Sequence, residues 1–329
     1  MPISSTLVSL SEIEAAATRV QPAARVTPLI EVSWPGAGPG TLLLKCENFQ
    51  PMGAFKIRGA YNMLAQLSSD ALSRGVITYS SGNHGQAVAL AAKLLGTKSV
   101  IVMPTTAPSV KVEGAQGFGA EVTFAGTTSL ERKARAEEIA AARGLTMVPP
   151  FDHAMIIAGQ GTVGLEILDQ CPDVAIVVVE VGGGGLSSGV AAAVKQRTPG
   201  VRVVGVEPVG AAKMSRSLEA GSPVTLDRVE SIADGLMTVR PGDLTFEHVK
   251  AFVDQVVTVT DTEMVQAIQW LYRHARMVVE PSGSVTTAAV MLGRGGIDPS
   301  QGPVVAIVSG GNVEAAKYAE YITTAPGRT

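Results

Sequence analysis

The sequence predicts an α/β protein of two lobes, with open, mostly parallel sheets covered by helices on both faces. Three observations lead there. From about residue 75 strand-like and helix-like segments alternate, the pattern of a doubly wound sheet. The segment "AIVVVEVGGGG" (175–185) reads as a continuous apolar strand, as expected when both faces are covered. The chain has 329 residues, enough for a large core and for division into two lobes.

Taken in order, Ser11 and Glu14 fit a capping box that opens a helix through "EIEAAATRV". After the Pro/Gly-rich turn "WPGAGPG", "TLLLKCE" reads as a buried strand and "FKIRGAYNMLAQL" as a helix. Four strands follow, "GVITYS", "KSVIVMP", "EVTF" and "LTMVPP", separated by the helices "HGQAVALAAKLLG", "SVKVEGAQGFG" and "SLERKARAEEIAAARG". The second series contains helix "AGQGTVGLEILDQ", the apolar strand, helix "LSSGVAAAVKQ" and strand "VRVVGVE". A long irregular region to about residue 245 comes next, of a length uncommon unless functional. Strand "QVVTVT", helices "TEMVQAIQWLYRHAR" and "PSGSVTTAAVML", strand "PVVAIVSGGN" and a last helix complete the chain. A ligand is expected at strand C-terminal ends between the lobes.

Composition excludes several classes. Net charge is −3, with scattered Lys and Arg and only 4% aromatics, which argues against nucleic-acid or polybasic membrane surfaces. The two cysteines, Cys46 and Cys171, form no CxxC pair, and the four histidines show no zinc spacing, so no metal is expected. The N-terminus lacks a signal-peptide pattern and no apolar run spans a bilayer. A cytoplasmic protein is the expectation.

Three strand ends are rich in small residues. "SSGNHGQA" (80–87) follows a strand and opens a helix, leaving backbone N–H groups above the sheet edge; a polar turn with a cap is the plain alternative. "VGGGGLSSG" (181–189) strips away every side chain between strand and helix, which suits a phosphate touching backbone amides. A dinucleotide fingerprint is its closest rival, weakened because Ser188 stands at the third glycine. "SGGNV" (309–313) is the third. In "PMGAFKIRGA", Lys56 lies between Phe55 and Ile57, whose burial would lower its pKa and favour the free amine. Alone, Lys56 suits a helix-start surface lysine. With the three strand ends it suits a pyridoxal phosphate site: a lysine for the Schiff base, amides for the phosphate, and a group for the pyridine nitrogen. The flanking glycines then read as room for a cofactor.

In order along the chain, "ENFQPMGAFKIRGAYN", "SSGNHGQAVALAAKLLG", "IAGQGTVGLEIL", "GGGGL", "IADGL", "EPSG" and "SGGN" resemble the pyridoxal-phosphate enzymes of fold type II, the tryptophan synthase β-like fold. Within that fold type the motifs look most like those of the serine/threonine dehydratases and serine racemases. The resemblance implies a large cofactor-binding domain (1–66 and 153–329) with a small inserted α/β domain (67–152), and a homodimer or homotetramer. It implies that Lys56 binds the cofactor and acts as the Cα base, that Phe55 packs beside the ring, and that Asn83 meets the phenolic oxygen. Gly182, Gly183, Gly184, Gly185 and Leu186 would hold the phosphate, and Ser309 the pyridine nitrogen. Ser80, Ser81, Asn83 and His84 would take the substrate carboxylate, with Ser81 on the face opposite Lys56. A serine at the ring nitrogen does not hold it protonated as an aspartate would, which favours expulsion of a β-hydroxyl over a long-lived carbanion.

The implied activity is an ammonia-lyase (dehydratase) converting threonine, serine or a relative such as phenylserine or 3-hydroxyaspartate to a 2-oxo acid and ammonia. An amino-acid racemase with side dehydratase activity is the alternative, and a nucleotide-binding sensor a third. The short segment after "SGGN" favours the catabolic or racemase-like type. Two departures stand out. Ala54 replaces the family's Ser or Thr. In "EPVGAAK", Glu207 and Ala211 match a racemase cation site, but Lys213 stands where an acid is needed. Its ammonium would occupy the cation's place, or it would be a surface lysine. Arg132 would reach an acidic substrate's distal carboxylate if it points inward, or lie solvated if not. Thr238 is a further substrate-side candidate, while Asp234 reads as structural.

Overall fold

The computed structural model describes residues 7–33, 40–80, 82–107 and 109–324. Ser81 and the Pro/Gly turn at 34–39 therefore lie outside the described residues. Two sheets organise the chain. One runs β1 (Leu29–Val32), β2 (Leu42–Cys46), β10 (Val304–Val308), β7 (Ile176–Glu180), β8 (Arg202–Pro208) and β9 (Gln255–Val259). The other runs β5 (Glu121–Phe124), β4 (Ser99–Met103), β3 (Val76–Tyr79) and β6 (Thr146–Met147). Only β1 pairs antiparallel, with Leu29 opposite Lys45; the other pairings are parallel.

Thirteen helices accompany them among the described residues: α1 (Leu10–Val20), α2 (Ile57–Leu64), α3 (Ser69–Arg74), α4 (Asn83–Leu94), α5 (Ser109–Gly117), α6 (Ser129–Arg143) and α7 (Ala154–Gln170), then α8 (Gly185–Arg197), α9 (Lys213–Ala220), α10 (Asp243–Phe252), α11 (Asp261–Trp270), α12 (Pro281–Met291) and α13 (Ala315–Thr323). Every residue of β7 is buried because its alternate side chains enter different cores. Val177 and Val179 pack with Val163 and Ile167 of α7 and Val190 of α8, while Val178 packs with Val285 and Ala289 of α12. Each fully buried valine contributes about 1.5–3 kcal/mol relative to exposure. Double cover thus explains the unbroken apolar run.

Several elements differ from the sequence expectation. The capping box is Ser9 and Glu12, not Ser11 and Glu14. The Glu12 amide donates to Ser9 Oγ at 3.3 Å and the Ser9 amide to Glu12 Oε2 at 2.8 Å, so the helix begins earlier. β1 and α3 were not expected, and β6 keeps only Thr146–Met147 of its segment. The irregular region contains α9, and α10 begins at its end. Neither helix carries a capping side chain of its own; carboxylates outside each helix supply it. Glu207 accepts the Met214 and Ser215 amides at 2.8 and 2.9 Å, and Asp152 accepts those of Asp243, Leu244 and Thr245 at 3.0–3.1 Å. Such carboxylates satisfy orphan donors and favour the positive end of the helix dipole.

The glycines around Lys56 serve packing rather than cofactor space. A Cβ at Gly59 would fall 2.9 Å from Ile156 O, where α2 crosses α7, and one at Gly53 (φ +78°) would fall 3.0 Å from Asn312 Cγ.

Candidate active site

The C-terminal ends of β3, β7 and β10 converge on one cavity of about 480 Å³, within the usual size range for small-ligand sites. Its wall includes Phe55, Lys56, Ser80, Asn83 and His84, the loop Gly182 to Leu186, and Ser309. Arg132 and Thr238 also line it. All the candidate residues within the described chain therefore border a single space. Ser81 lies outside the described residues.

Lys56 immediately precedes α2, and its position is set by β10: the Phe55 amide donates to Ser309 O at 3.1 Å. Lys56 Nζ donates to Pro150 O at 2.8 Å and lies 5.2 Å from the Phe55 ring centroid. Burial lowers its pKa from 10.5 to about 8. Ile57 points away into the core between α2 and α4.

At the glycine loop, Gly184 adopts φ +100° as the N-cap of α8. Gly183 O is fastened outward by Thr245 Oγ1 at 2.7 Å and the Gly242 amide at 3.3 Å. The first amides of α8 have no intrahelical acceptor, which makes this end a seat for an anion. Side chains are excluded: a Cβ at Gly183 would fall 2.5 Å from Phe151 Cε1. Gly183→Ala should therefore weaken cofactor retention by about 1–3 kcal/mol, the usual overpacking cost, or roughly ten- to a hundredfold in Kd. Equilibrium dialysis of the cofactor checks this, with unchanged circular dichroism as the control.

Asn83 Nδ2 donates to Glu280 Oε1 at 2.6 Å, and its Oδ1 accepts from Asn312 Nδ2 at 2.8 Å. Ser80 Oγ accepts the Gly82 amide at 3.1 Å. His84 is buried, with Nε2 at 3.1 Å from Val148 O. Burial, then the Lys56 charge, push its pKa down to about 3. A neutral ring that donates from Nε2 leaves Nδ1 as an acceptor, so a carboxylate can be met only by the His84 amide. Arg132 is 8% exposed, with Nη1 donating to Thr127 O at 3.1 Å and no partner on Nε. It is not a solvated surface charge.

Three charged groups at the cavity escaped the sequence reading. Lys111 of α5 pairs with Asp234, joining elements of the two sheets across the cavity rim. Glu280 precedes α12, and its pKa is raised to about 8 by burial and then by Asp234. Glu180 ends β7, fully enclosed. A lone carboxyl inside "IVVVE" was the available signal. Glu180 Oε2, Glu280 Oε2 and Thr238 Oγ1 are buried without partners. Beside the cavity, Lys213 is fully buried rather than exposed. Its Nζ donates to Val181 O, Ala211 O and Leu236 O at 2.9–3.0 Å and lies 3.2 Å from Glu207 Oε1. Among the described residues no cluster of His, Cys, Asp or Glu could hold a metal ion.

A recessed amine of lowered pKa, an anion seat at a helix start and unpartnered polar groups between them fit an aromatic aldehyde bearing a phosphate. The fold and this site define a pyridoxal-phosphate dependent enzyme. The chain matches that family's model over residues 20–310 and belongs to it, with pyridoxal 5'-phosphate as cofactor. It is 41% identical over 320 residues to the catabolic L-threonine dehydratase of Staphylococcus aureus, covering 96% of this chain and 92% of that one. It is 42% identical over 274 residues to the biosynthetic L-threonine dehydratase of Pasteurella multocida, covering 83% of this chain but only 53% of that enzyme. Among solved structures, maize serine racemase superposes with a TM-score of 0.91 at 37% identity, covering 96% and 97% of the two chains. The fold is thus the two-sheet fold type II arrangement, on the serine/threonine dehydratase and serine racemase branch.

Proposed function

We propose that this chain is a pyridoxal-phosphate-dependent ammonia-lyase that removes water from threonine, serine or a related β-hydroxy amino acid, releasing a 2-oxo acid and ammonia. The observation that carries the reading is the Lys56 amine, held by Pro150 O at 2.8 Å on the wall that also carries the glycine loop. The bound cofactor supplies electron withdrawal at the substrate Cα. Lys56 would hold it covalently and, as a free amine, would take the Cα proton. Phe55 would pack beside the ring, Asn83 would meet the phenolic oxygen, Gly182 to Leu186 would hold the phosphate, and Ser309 would meet the ring nitrogen. Ser80 and the amides of Asn83 and His84 receive the substrate carboxylate at the start of α4. The names and identities of the two dehydratases support this assignment.

A racemase is the second reading, favoured by the similarity to maize serine racemase. It requires an acid opposite Lys56, the role we assign to Ser81. The unpartnered Nε of Arg132 and Oγ1 of Thr238 favour a substrate with a polar distal group, such as hydroxyaspartate. The test is a panel of serine, threonine, phenylserine and hydroxyaspartate stereoisomers, assayed for both keto acid and enantiomer. Keto-acid release faster than D-enantiomer formation is the expected result; the reverse order overturns the lyase reading.

Lys213 is proposed as a tethered cation that braces the Val181 and Leu236 carbonyls beside the site. Full activity should then persist after exhaustive chelation, and strong activation by Mg²⁺ or Ca²⁺ would refute it. Lys213→Ala removes the buried cation beside Glu207 and leaves that carboxylate only its bonds from α9, which should cost about 3–5 kcal/mol in thermal stability. We further propose that residues 1–66 and 153–329 form the cofactor-binding domain and 67–152 an inserted one. A cytoplasmic homodimer or homotetramer, without nucleic-acid or membrane partners, completes the proposal. Among the described residues no helix is long and apolar enough to cross a membrane.

A further inference from the structure

Four motifs, "PMGAF", "GNHG", "EPSG" and "SGGN", meet at one side-chain amide. Asn83 opens α4 and lines the cavity. Its Oδ1 accepts from Asn312 Nδ2 at 2.8 Å, and its Nδ2 donates to Glu280 Oε1 at 2.6 Å. Asn312 Nδ2 also donates to Met52 O at 2.9 Å. A backbone carbonyl only accepts, so Met52 O fixes which end of the Asn312 amide is nitrogen. That nitrogen needs an oxygen from Asn83, which turns the Asn83 NH₂ toward Glu280. Glu280 Oε1 serves as its acceptor whether or not the carboxyl carries a proton on the unpartnered Oε2. The polarity of the Asn83 amide is therefore set from both sides. One Nδ2 hydrogen goes to Glu280; the other has no acceptor among the described residues. Two glycines clear the path: a Cβ at Gly310 would collide with Glu280 Oε1, and one at Gly53 with Asn312 Oδ1. Backbone bonds fasten the same segments, from the Glu280 amide to Gly310 O at 3.1 Å and from the Gly311 amide to Gly53 O at 2.9 Å. The mechanism above uses neither Glu280 nor Asn312.

We propose that Glu280 and Asn312 are positioning residues that lock the Asn83 amide so that its NH₂ donates to the cofactor's phenolic oxygen. The inference rests on the assignment of Asn83 to that oxygen. An amide free to turn would also present Oδ1, and an oxygen there repels a phenolate. A flipped Asn83 would face Glu280 Oε1 oxygen to oxygen and Asn312 Nδ2 nitrogen to nitrogen, losing both bonds. The locked donor stabilises negative charge on the phenolic oxygen. Once Lys56 holds the cofactor, the proton shared between the Lys56 nitrogen and that oxygen then stays on the nitrogen. Without the donor the N–H bond breaks and an O–H bond forms, with no change in net charge. A proton on the nitrogen makes the adjoining carbon the better electrophile for a substrate amino group. Glu280 and Asn312 thus act on substrate capture through Asn83.

The test is the absorbance spectrum of the purified protein loaded with pyridoxal phosphate. Wild type should show the visible yellow band of the nitrogen-protonated form. Glu280→Leu removes the acceptor for Asn83. Its ratio of that band to the near-ultraviolet band of the oxygen-protonated form should fall about tenfold to a hundredfold, the worth of one hydrogen bond to a charged group. Asn312→Leu should shift the ratio the same way, and it carries the test if Glu280→Leu does not fold. Glu280→Gln still offers Asn83 an oxygen and should stay near wild type. In an Asn83→Ala background neither leucine variant should move the ratio further. A further shift there means that the two residues act on the cofactor without Asn83, and it overturns the proposal. So do a wild-type ratio in the leucine variants, a Glu280→Gln that shifts as far as Glu280→Leu, or a wild type without the visible band. Borohydride tagging of Lys56 in each protein separates these results, which leave the lyase reading intact, from loss of the cofactor. If borohydride tags no Lys56 in wild type, the cofactor assignment of the site fails and this proposal falls with it.

Discussion

Lys56→Ala is expected to yield a folded, colourless protein whose turnover is lower by roughly 10²–10⁴-fold from lost proton transfer alone. Loss of the covalent anchor adds to that. The side chain opens onto the cavity and its one hydrogen bond is to Pro150 O, so its removal leaves the cores intact. Wild type should be yellow, and borohydride should bleach it while tagging Lys56; the variant should be neither coloured nor tagged. Normal turnover in the variant would refute the whole assignment. The amine also sets a pH dependence. Only the free base attacks the cofactor aldehyde, and with a pKa of about 8 on the order of one amine in ten is free at pH 7. An ordinary lysine, at 10.5, would offer about one in three thousand. The rate at which stripped protein recaptures pyridoxal phosphate should therefore rise with pH, with a midpoint near 8, and then level off. Stopped-flow absorbance measures it; a midpoint near 10.5 would show that burial does not act on this amine.

The second large effect lies two residues further on. Arg58 is 1% exposed and donates twice to Glu47, from Nε at 2.8 Å and Nη2 at 2.7 Å. Its Nη1 reaches Glu166 Oε1 at 2.6 Å and Thr162 Oγ1 at 3.0 Å. Lys45 Nζ, fully buried, joins the same Glu166 at 2.6 Å. The cluster locks the first turn of α2, and with it Lys56, to β2 and α7. Arg58→Ala strands the Glu47 carboxylate in the interior and should cost about 3–5 kcal/mol, far more than an exposed ion pair. Thermal unfolding with and without Glu47→Ala tests it, since removing both partners should cost less than the sum of the single losses. The sign with pH follows from Glu47. Burial pushes its carboxyl up, but Arg58 more than offsets this and holds it below the usual range. The stabilisation is therefore present at neutral pH and is lost as pH falls through the lowered value. A variant as stable as wild type at neutral pH would show that the network contributes only specificity.

Much of the site was legible beforehand because its signals are local. A strand that ends in four glycines before a helix shows an anion seat within nine residues, and "GNHG" and "SGGN" mark the same sheet-top geometry. The glycines around Lys56 were misread, because whether a missing Cβ makes room for a ligand or for a neighbouring helix depends on what crosses there. Gly59 meets α7, about a hundred residues away in sequence. Helix α10 was hidden for a similar reason: its cap is Asp152, which lies 91 residues before the amide of Asp243.

The sequence by itself determined the alternation of strands and helices, the three small-residue strand ends and the lysine that faces them. These follow from periodicity and backbone freedom, which act over a few residues. The tertiary structure alone decided which charges are desolvated and beside what. It buried Lys213 among three carbonyls, turned Arg132 to the cavity wall, and set Glu180 against Ser309 without a cation. Desolvation depends on neighbours brought from distant positions, such as Val181 and Leu236 around Lys213, so no window of sequence contains it.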